Sequence, residues 1–99
     1  MILAGTVVNT GTEIKDNTII NTNSTIEHHN IIGPHVHVAP GATLGGEVVV
    51  GEEAMIGIGA TVLPRINIGS KATLGGGSTA IQDIPEGTIA VGAPACVKD

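Results

Sequence analysis

An aliphatic residue stands at every sixth position from Ile2 to Ala80. The series is Ile2, Val8, Ile14, Ile20, Ile26, Ile32, Val38, Leu44, Val50, Ile56, Val62, Ile68, Leu74 and Ala80. Four residues behind each runs a second series, mostly small: Thr6, Thr12, Thr18, Ser24, Asn30, Val36, Ala42, Val48, Ala54, Ala60, Ile66, Ala72 and Ser78. A helix requires apolar spacings of three and four, and a simple strand requires alternation. A period of six fits a strand of two or three residues and a tight turn, repeated as a solenoid. Three such units close a triangle of eighteen residues, and the next triangle stacks on it at about 4.8 Å. The first series then points inward as three columns. Ile2, Ile20, Val38, Ile56 and Leu74 form one; Val8, Ile26, Leu44, Val62 and Ala80 form the second; Ile14, Ile32, Val50 and Ile68 form the third. The second series is placed at the corners. The predicted fold class is therefore all-β, a parallel β-helix of hexapeptide repeats.

Composition agrees with a narrow prism. There is no Phe, Tyr or Trp, and β-branched residues suit a pleated, stacked surface. Fifteen glycines serve the turns. One domain is expected, with the regular β-helix over 1–80 and a C-terminal cap over 81–99. In that cap Pro85 and Pro94 interrupt the period, and an open β-edge would be covered. A slim prism exposes much surface, so self-association into a closed symmetric oligomer is expected.

The net charge of −5 argues against nucleic acid or an anionic membrane as partner. The opening "MILAG" is too short for a signal peptide, and no apolar run approaches a membrane span. The single cysteine, Cys96, excludes an intramolecular disulfide and suits a reducing cytoplasm.

All four histidines, His28, His29, His35 and His37, fall in "IEHHNIIGPHVHVAPG". None occupies either series, so all are free to face outward. Imidazole is the side chain best suited to move protons near neutral pH. Two other readings stand beside that one. The first is a solvated patch of histidines. The second is a metal site in which His35 and His37 chelate from one strand, although no Cys partners them and no common zinc spacing is present. No phosphate-binding glycine loop opens a helix, and Ser24, Ser70 and Ser78 sit at repeat corners or turns.

The segments "INTNSTIEHHNIIGPHVHVAPGATLGGEVVVG", "IGIGATVLPRINIGSKATLGGGS" and "DIPEGTIAVGAPA" together resemble the bacterial transferase hexapeptide family. Within it they are similar to the C-terminal β-helix of sugar acetyltransferases of the sialic-acid O-acetyltransferase and bacillosamine N-acetyltransferase group. The resemblance implies a left-handed β-helix, which departs from the right-handed crossover rule. It also implies acetyl transfer from acetyl-CoA to a hydroxyl or amine of a sugar or nucleotide sugar. His28 matches the general base. The position after it is acidic in the family and is His29 here, so Glu27 is a further catalytic candidate. Asn21 matches an acceptor-site residue, His37 a contact to acetyl-CoA, and Gly46 the backbone N–H that faces the thioester carbonyl. Ile58 and Gly76 match positions whose backbone binds the pantetheine arm. No metal is implied. The resemblance further implies a homotrimer with each active site between two prisms.

Three departures accompany the match. Close relatives carry an N-terminal nucleotide-sugar-binding domain of the Rossmann kind, absent from this sequence, which starts inside the first coil. His29 replaces the acid. Cys96 follows "GAPA" where a basic residue is common, leaving Arg65, Lys71 and Lys98 as the late cations for CoA phosphates. The alternatives to an acetyltransferase are a trimeric β-helix scaffold with little catalysis and, further off, a metal-dependent protein of the γ-carbonic-anhydrase kind. Ice binding is disfavoured for want of an outward Thr-x-Thr file.

Overall fold

The computed structural model describes Met1–Lys98. Thirteen two-residue strands, from Val7–Val8 to Thr79–Ala80, recur every six residues, and Ile89–Val91 and Cys96–Val97 complete the set. They wind into a left-handed parallel β-helix with three faces. The first face stacks Val7–Val8, Thr25–Ile26, Thr43–Leu44, Thr61–Val62 and Thr79–Ala80. The second stacks Glu13–Ile14, Ile31–Ile32, Val49–Val50 and Asn67–Ile68. The third stacks Ile19–Ile20, His37–Val38, Met55–Ile56 and Thr73–Leu74 before Ile89–Val91. The molecule measures 34 × 20 × 20 Å.

The register is eighteen residues on every face, so the three inward columns form as the period requires. Ile20, Val38, Ile56 and Leu74 are fully buried, as are Ile26, Leu44 and Ile32. Each buried aliphatic side chain of this size contributes about 1.5–3 kcal/mol. The corner series turns inward too: Thr18, Ser24, Asn30, Val36, Ala42, Val48 and Ala54 are buried. This explains its small size, although Val36, Val48 and Ile66 show that the interior admits branched residues there. On the outside of the first face Thr25, Thr43, Thr61 and Thr79 make a single file of half-buried threonines.

A third six-residue series sets the corners. Gly5, Gly11, Asn17, Asn23, His29, His35, Gly41, Glu47, Glu53, Gly59, Arg65, Lys71 and Gly77 all have positive φ, between 55° and 75°. Eight of these are not glycine, and such residues are strained in the left-handed region. The stacking holds seven of them there, from Asn23 to Lys71, since each of those N–H groups donates to a carbonyl one rung below. His29 N bonds Thr10 O at 3.0 Å, Glu47 N bonds His28 O at 2.9 Å, and Arg65 N bonds Gly46 O at 2.9 Å.

Beyond Ala80 the ladder continues on a shorter offset. Ile84, buried, bridges Ile68, and Ala90 pairs with Leu74. Cys96–Val97 then folds back antiparallel on Ile89–Val91. The third face is therefore closed at this end by a hairpin-like return. At the opposite end Met1 and Ile2 remain exposed.

Candidate active site

The histidine pair lies on the edge between the first and second faces. Its turns, rung by rung, are Thr10–Gly11, His28–His29, Gly46–Glu47 and Pro64–Arg65. His28 and His29 are thus in a turn, where adjacent side chains can meet, and not on a strand, where they would oppose. Their Nδ1 atoms are 3.1 Å apart and the rings meet edge to face at 79°. The rings diverge along the axis. A side-chain carbon at Gly46 would lie 2.6 Å from His28 Nε2, and one at Gly11 would collide with the His29 ring. Each imidazole thus occupies room that a glycine leaves on the neighbouring rung. Glu27 touches neither ring; its Oε1 accepts from Asn9 Nδ2 at 3.0 Å, one rung below. Glu47 is drawn toward Arg65, with 3.8 Å between Oε1 and Nε, an exposed contact of little energetic weight.

Asn30 holds this edge from inside. Its buried Nδ2 donates to Glu27 O at 2.8 Å, Gly45 O at 2.9 Å and His28 O at 3.3 Å. The carboxamide therefore ties the histidine turn to the Gly45–Gly46 turn. Asn30 Oδ1 is buried with no partner among the described residues. Sequence reading placed Asn30 among the corner residues and missed this role; the available signal was a carboxamide in a series of small and aliphatic side chains. Asn30→Ala would remove the orphaned oxygen but leave Gly45 O without its donor, while Glu27 O keeps Thr12 Oγ1 and His28 O keeps Glu47 N. The expected loss is about 1–3 kcal/mol of stability, read as a lower urea midpoint. An unchanged midpoint would show that Gly45 O finds another partner.

The remaining candidates line the edge between the third and first faces. His37, half-buried on the third face, has Nε2 3.3 Å from Asn21 Nδ2. Asn21 Oδ1 accepts from Thr22 N at 2.7 Å, so its amide is oriented with Nδ2 as donor to His37. His37 Nε2 is then the acceptor, and its Nδ1 carries the proton. Further along the same edge come Ile58, 68% exposed, and Gly76. After Gly5 and Asn23 on the first two rungs, the left-handed positions here are Gly41, Gly59 and Gly77, where an added side chain would meet almost nothing. At those three positions the edge is bare backbone, open to close approach.

His28, Gly46, Ile58 and Gly76 all hold the first turn position. Among the described residues their N–H groups have no acceptor. Proline fills the equivalent position at 34, 40 and 64, as expected where the N–H is unused. Asn21, His37, Ile58 and Gly76 thus form one strip along the axis, and His28, His29 and Gly46 form a second group on another edge. On a convex prism 20 Å across, one chain does not bring the two together. His35 sits on the remaining edge, between Asp16–Asn17 and Glu52–Glu53. Among the described residues no three His, Cys, Asp or Glu side chains converge as metal ligands. No helix among them is long and apolar enough to cross a membrane.

Residues 11–46 match the model of the bacterial transferase hexapeptide (six repeats). PerB from Caulobacter crescentus, solved with CoA and GDP-perosamine, is 37% identical with a TM-score of 0.95, over 96% of this chain and 46% of that one. The acetyltransferase domain of PglB from Neisseria gonorrhoeae is 38% identical with a TM-score of 0.97, over 98% of this chain and 47% of that one. It has also been solved with acetyl coenzyme A. AntD, an N-acyltransferase from Bacillus cereus, shares the fold alone at 12% identity, with a TM-score of 0.92 over 100% of this chain and 69% of that one. The chain spans a little under half the length of the first two. No curated protein sequence matches it.

Proposed function

We propose, from the premise that this chain carries the bacterial transferase hexapeptide repeat, that it is the β-helix of an acetyl-CoA-dependent sugar acetyltransferase. The observation that carries this reading is the histidine edge, where an imidazole nitrogen abuts a rung carrying the Gly46 N–H, and neither has a hydrogen-bond partner among the described residues. Acyl transfer from a thioester requires those two functions, a base for the acceptor's proton and a donor for the oxyanion. PerB and the PglB domain support the substrate class, since they were solved with CoA or acetyl-CoA and, for PerB, a nucleotide sugar.

In the proposed reaction, His28 Nε2 takes a proton from the acceptor amine or hydroxyl as that atom attacks the thioester carbonyl carbon. The Gly46 N–H donates to the oxygen as it becomes negative. Collapse breaks the C–S bond, and the proton on His28 passes to the departing CoA thiolate. The products are an N- or O-acetyl sugar and free CoA, with no acyl group carried by the protein.

The bare edge suits the other end of the ligand. Asn21 to Gly76 covers three rung spacings, about 14 Å along the axis. An extended arm lying there would find the free N–H groups of Ile58 and Gly76, with the glycine turns permitting contact. Bringing that strip opposite His28 takes a second copy, and a homotrimer with one site between each pair of prisms satisfies this. Asn21 then lies toward the acceptor and His37 toward the acetyl group. Incubation with acetyl-CoA and a set of nucleotide-linked amino and hydroxy sugars, followed by mass spectrometry, is expected to show a gain of one acetyl group on one acceptor. Tight CoA binding without transfer to any acceptor would favour the scaffold reading.

A further inference from the structure

The contact between His28 and His29 couples the tautomers of the two rings. With Nδ1 facing Nδ1 at 3.1 Å, one nitrogen donates and the other accepts. We propose that His29 is a positioning residue: its Nδ1 accepts the proton on His28 Nδ1, leaving a lone pair on His28 Nε2 over Gly46. This inference rests on the acetyltransferase reading, in which His28 Nε2 is the base.

The surroundings make the acceptor a neutral one. On its own turn His29 has His28 and Glu27 as titratable neighbours, and the Glu27 carboxylate is turned to Asn9 on the rung below. That rung presents Gly11 to the His29 ring, with Glu13 and Lys15 following and paired with each other. The rung above carries Glu47, paired with Arg65. Among the described residues no carboxylate is hydrogen-bonded to either ring.

A neutral imidazole acceptor behaves unlike a carboxylate in one respect. It can reverse, with His29 donating to His28, and the proton on His28 then moves to Nε2. An additional proton on the pair leaves Nε2 protonated, wherever it is lodged. If it rests on His28, both nitrogens of that ring carry hydrogen. If it rests on His29, the reversed bond puts the His28 proton on Nε2. One proton on the pair therefore switches the base off. A carboxylate at His29 would hold the imidazolium by its charge, giving a stronger base that is lost at higher pH. The two-histidine arrangement trades rate on the plateau for activity that persists to lower pH.

His29 has φ of 55°, a conformation that Asn and Asp tolerate well. In both, the side-chain oxygen is attached at the position of the imidazole Nδ1. His29→Asn retains a neutral acceptor and is expected to keep the wild-type pH profile of kcat/KM. His29→Asp is expected to move the acid limb up by about one pH unit or more and to raise the plateau about threefold. His29→Ala removes the acceptor and is expected to lower kcat about tenfold with the KM for acetyl-CoA unchanged. Nitrogen-15 NMR of the wild-type protein at high pH is expected to show His28 as the Nδ1–H tautomer and His29 as the Nε2–H tautomer. An Asp profile superimposable on wild type, or His28 found as the Nε2–H tautomer, overturns the proposal. If wild type transfers no acetyl group, the acetyltransferase reading fails, and the tautomer measurement decides the hydrogen-bond assignment by itself.

Discussion

Replacing His28 by alanine is expected to lower acetyl transfer about 10²–10⁴-fold, the usual range for removing a positioned base. The described residues nearest to it offer no substitute. His29 leans over Gly11, away from Gly46, and the Glu27 carboxylate is held by Asn9. The loss should fall on kcat and kcat/KM together, because proton removal is needed only as the transition state forms. Binding of CoA should change little, because in the proposed trimer the pantetheine arm is held by backbone N–H groups of another copy's glycine strip and not by the His28 ring. Stability should move by no more than about 0.5 kcal/mol, because the side chain is exposed and the turn is held by Asn30. Calorimetry with CoA, melting and steady-state turnover separate these quantities. Equal turnover in wild type and His28→Ala would remove this residue from the chemistry.

The largest expected effect on folding comes from Ile56→Ala, at about 2–5 kcal/mol. Ile56 is fully buried midway along the third-face column, paired with Val38 below and Leu74 above. In a solenoid, stability is close to a sum over rungs and the interfaces between neighbours. A cavity in a central rung weakens two interfaces at once, and the flanking side chains are fixed by their own register and cannot collapse into it. Ile2, in the same column, is 55% exposed and stacks only on Ile20. Ile2→Ala should therefore cost well under half as much. Urea melts of both variants at one protein concentration provide the comparison, because self-association would otherwise shift the midpoint. Equal losses at the two positions would contradict the rung-by-rung account.

The inward ladder was legible because a narrow prism leaves no choice about which residues enter it. Ile20, Val38 and Ile56 can stack only if their spacing is constant, so the architecture is written directly as a period. The corner conformations were legible only in part. Gly5, Gly11, Asn17 and Asn23 announce a left-handed position, but His29, His35, Glu47, Glu53, Arg65 and Lys71 occupy it against their intrinsic preference. Their conformation depends on hydrogen bonds to residues nineteen positions earlier, which no local pattern reports. The tail shows the same limit. Ile84 and Ala90 rejoin the columns on an offset of sixteen, so a search for strict sixes stops at Ala80.

The sequence alone determined the three-faced coil, the buried columns and the cluster of histidines that lies outside both six-residue series. Periodicity acts between neighbours in the chain and in the stack, so one dimension suffices to read it. Only the tertiary structure decided that His28 meets His29 and not Glu27, that Asn30 braces their turn, and that Asn21 and His37 are partners. Those contacts depend on side-chain direction at a turn and on which residues one rung apart are glycine. It also decided that the candidates divide between two edges. A convex prism keeps its edges apart, and the period that builds them is the same on all three.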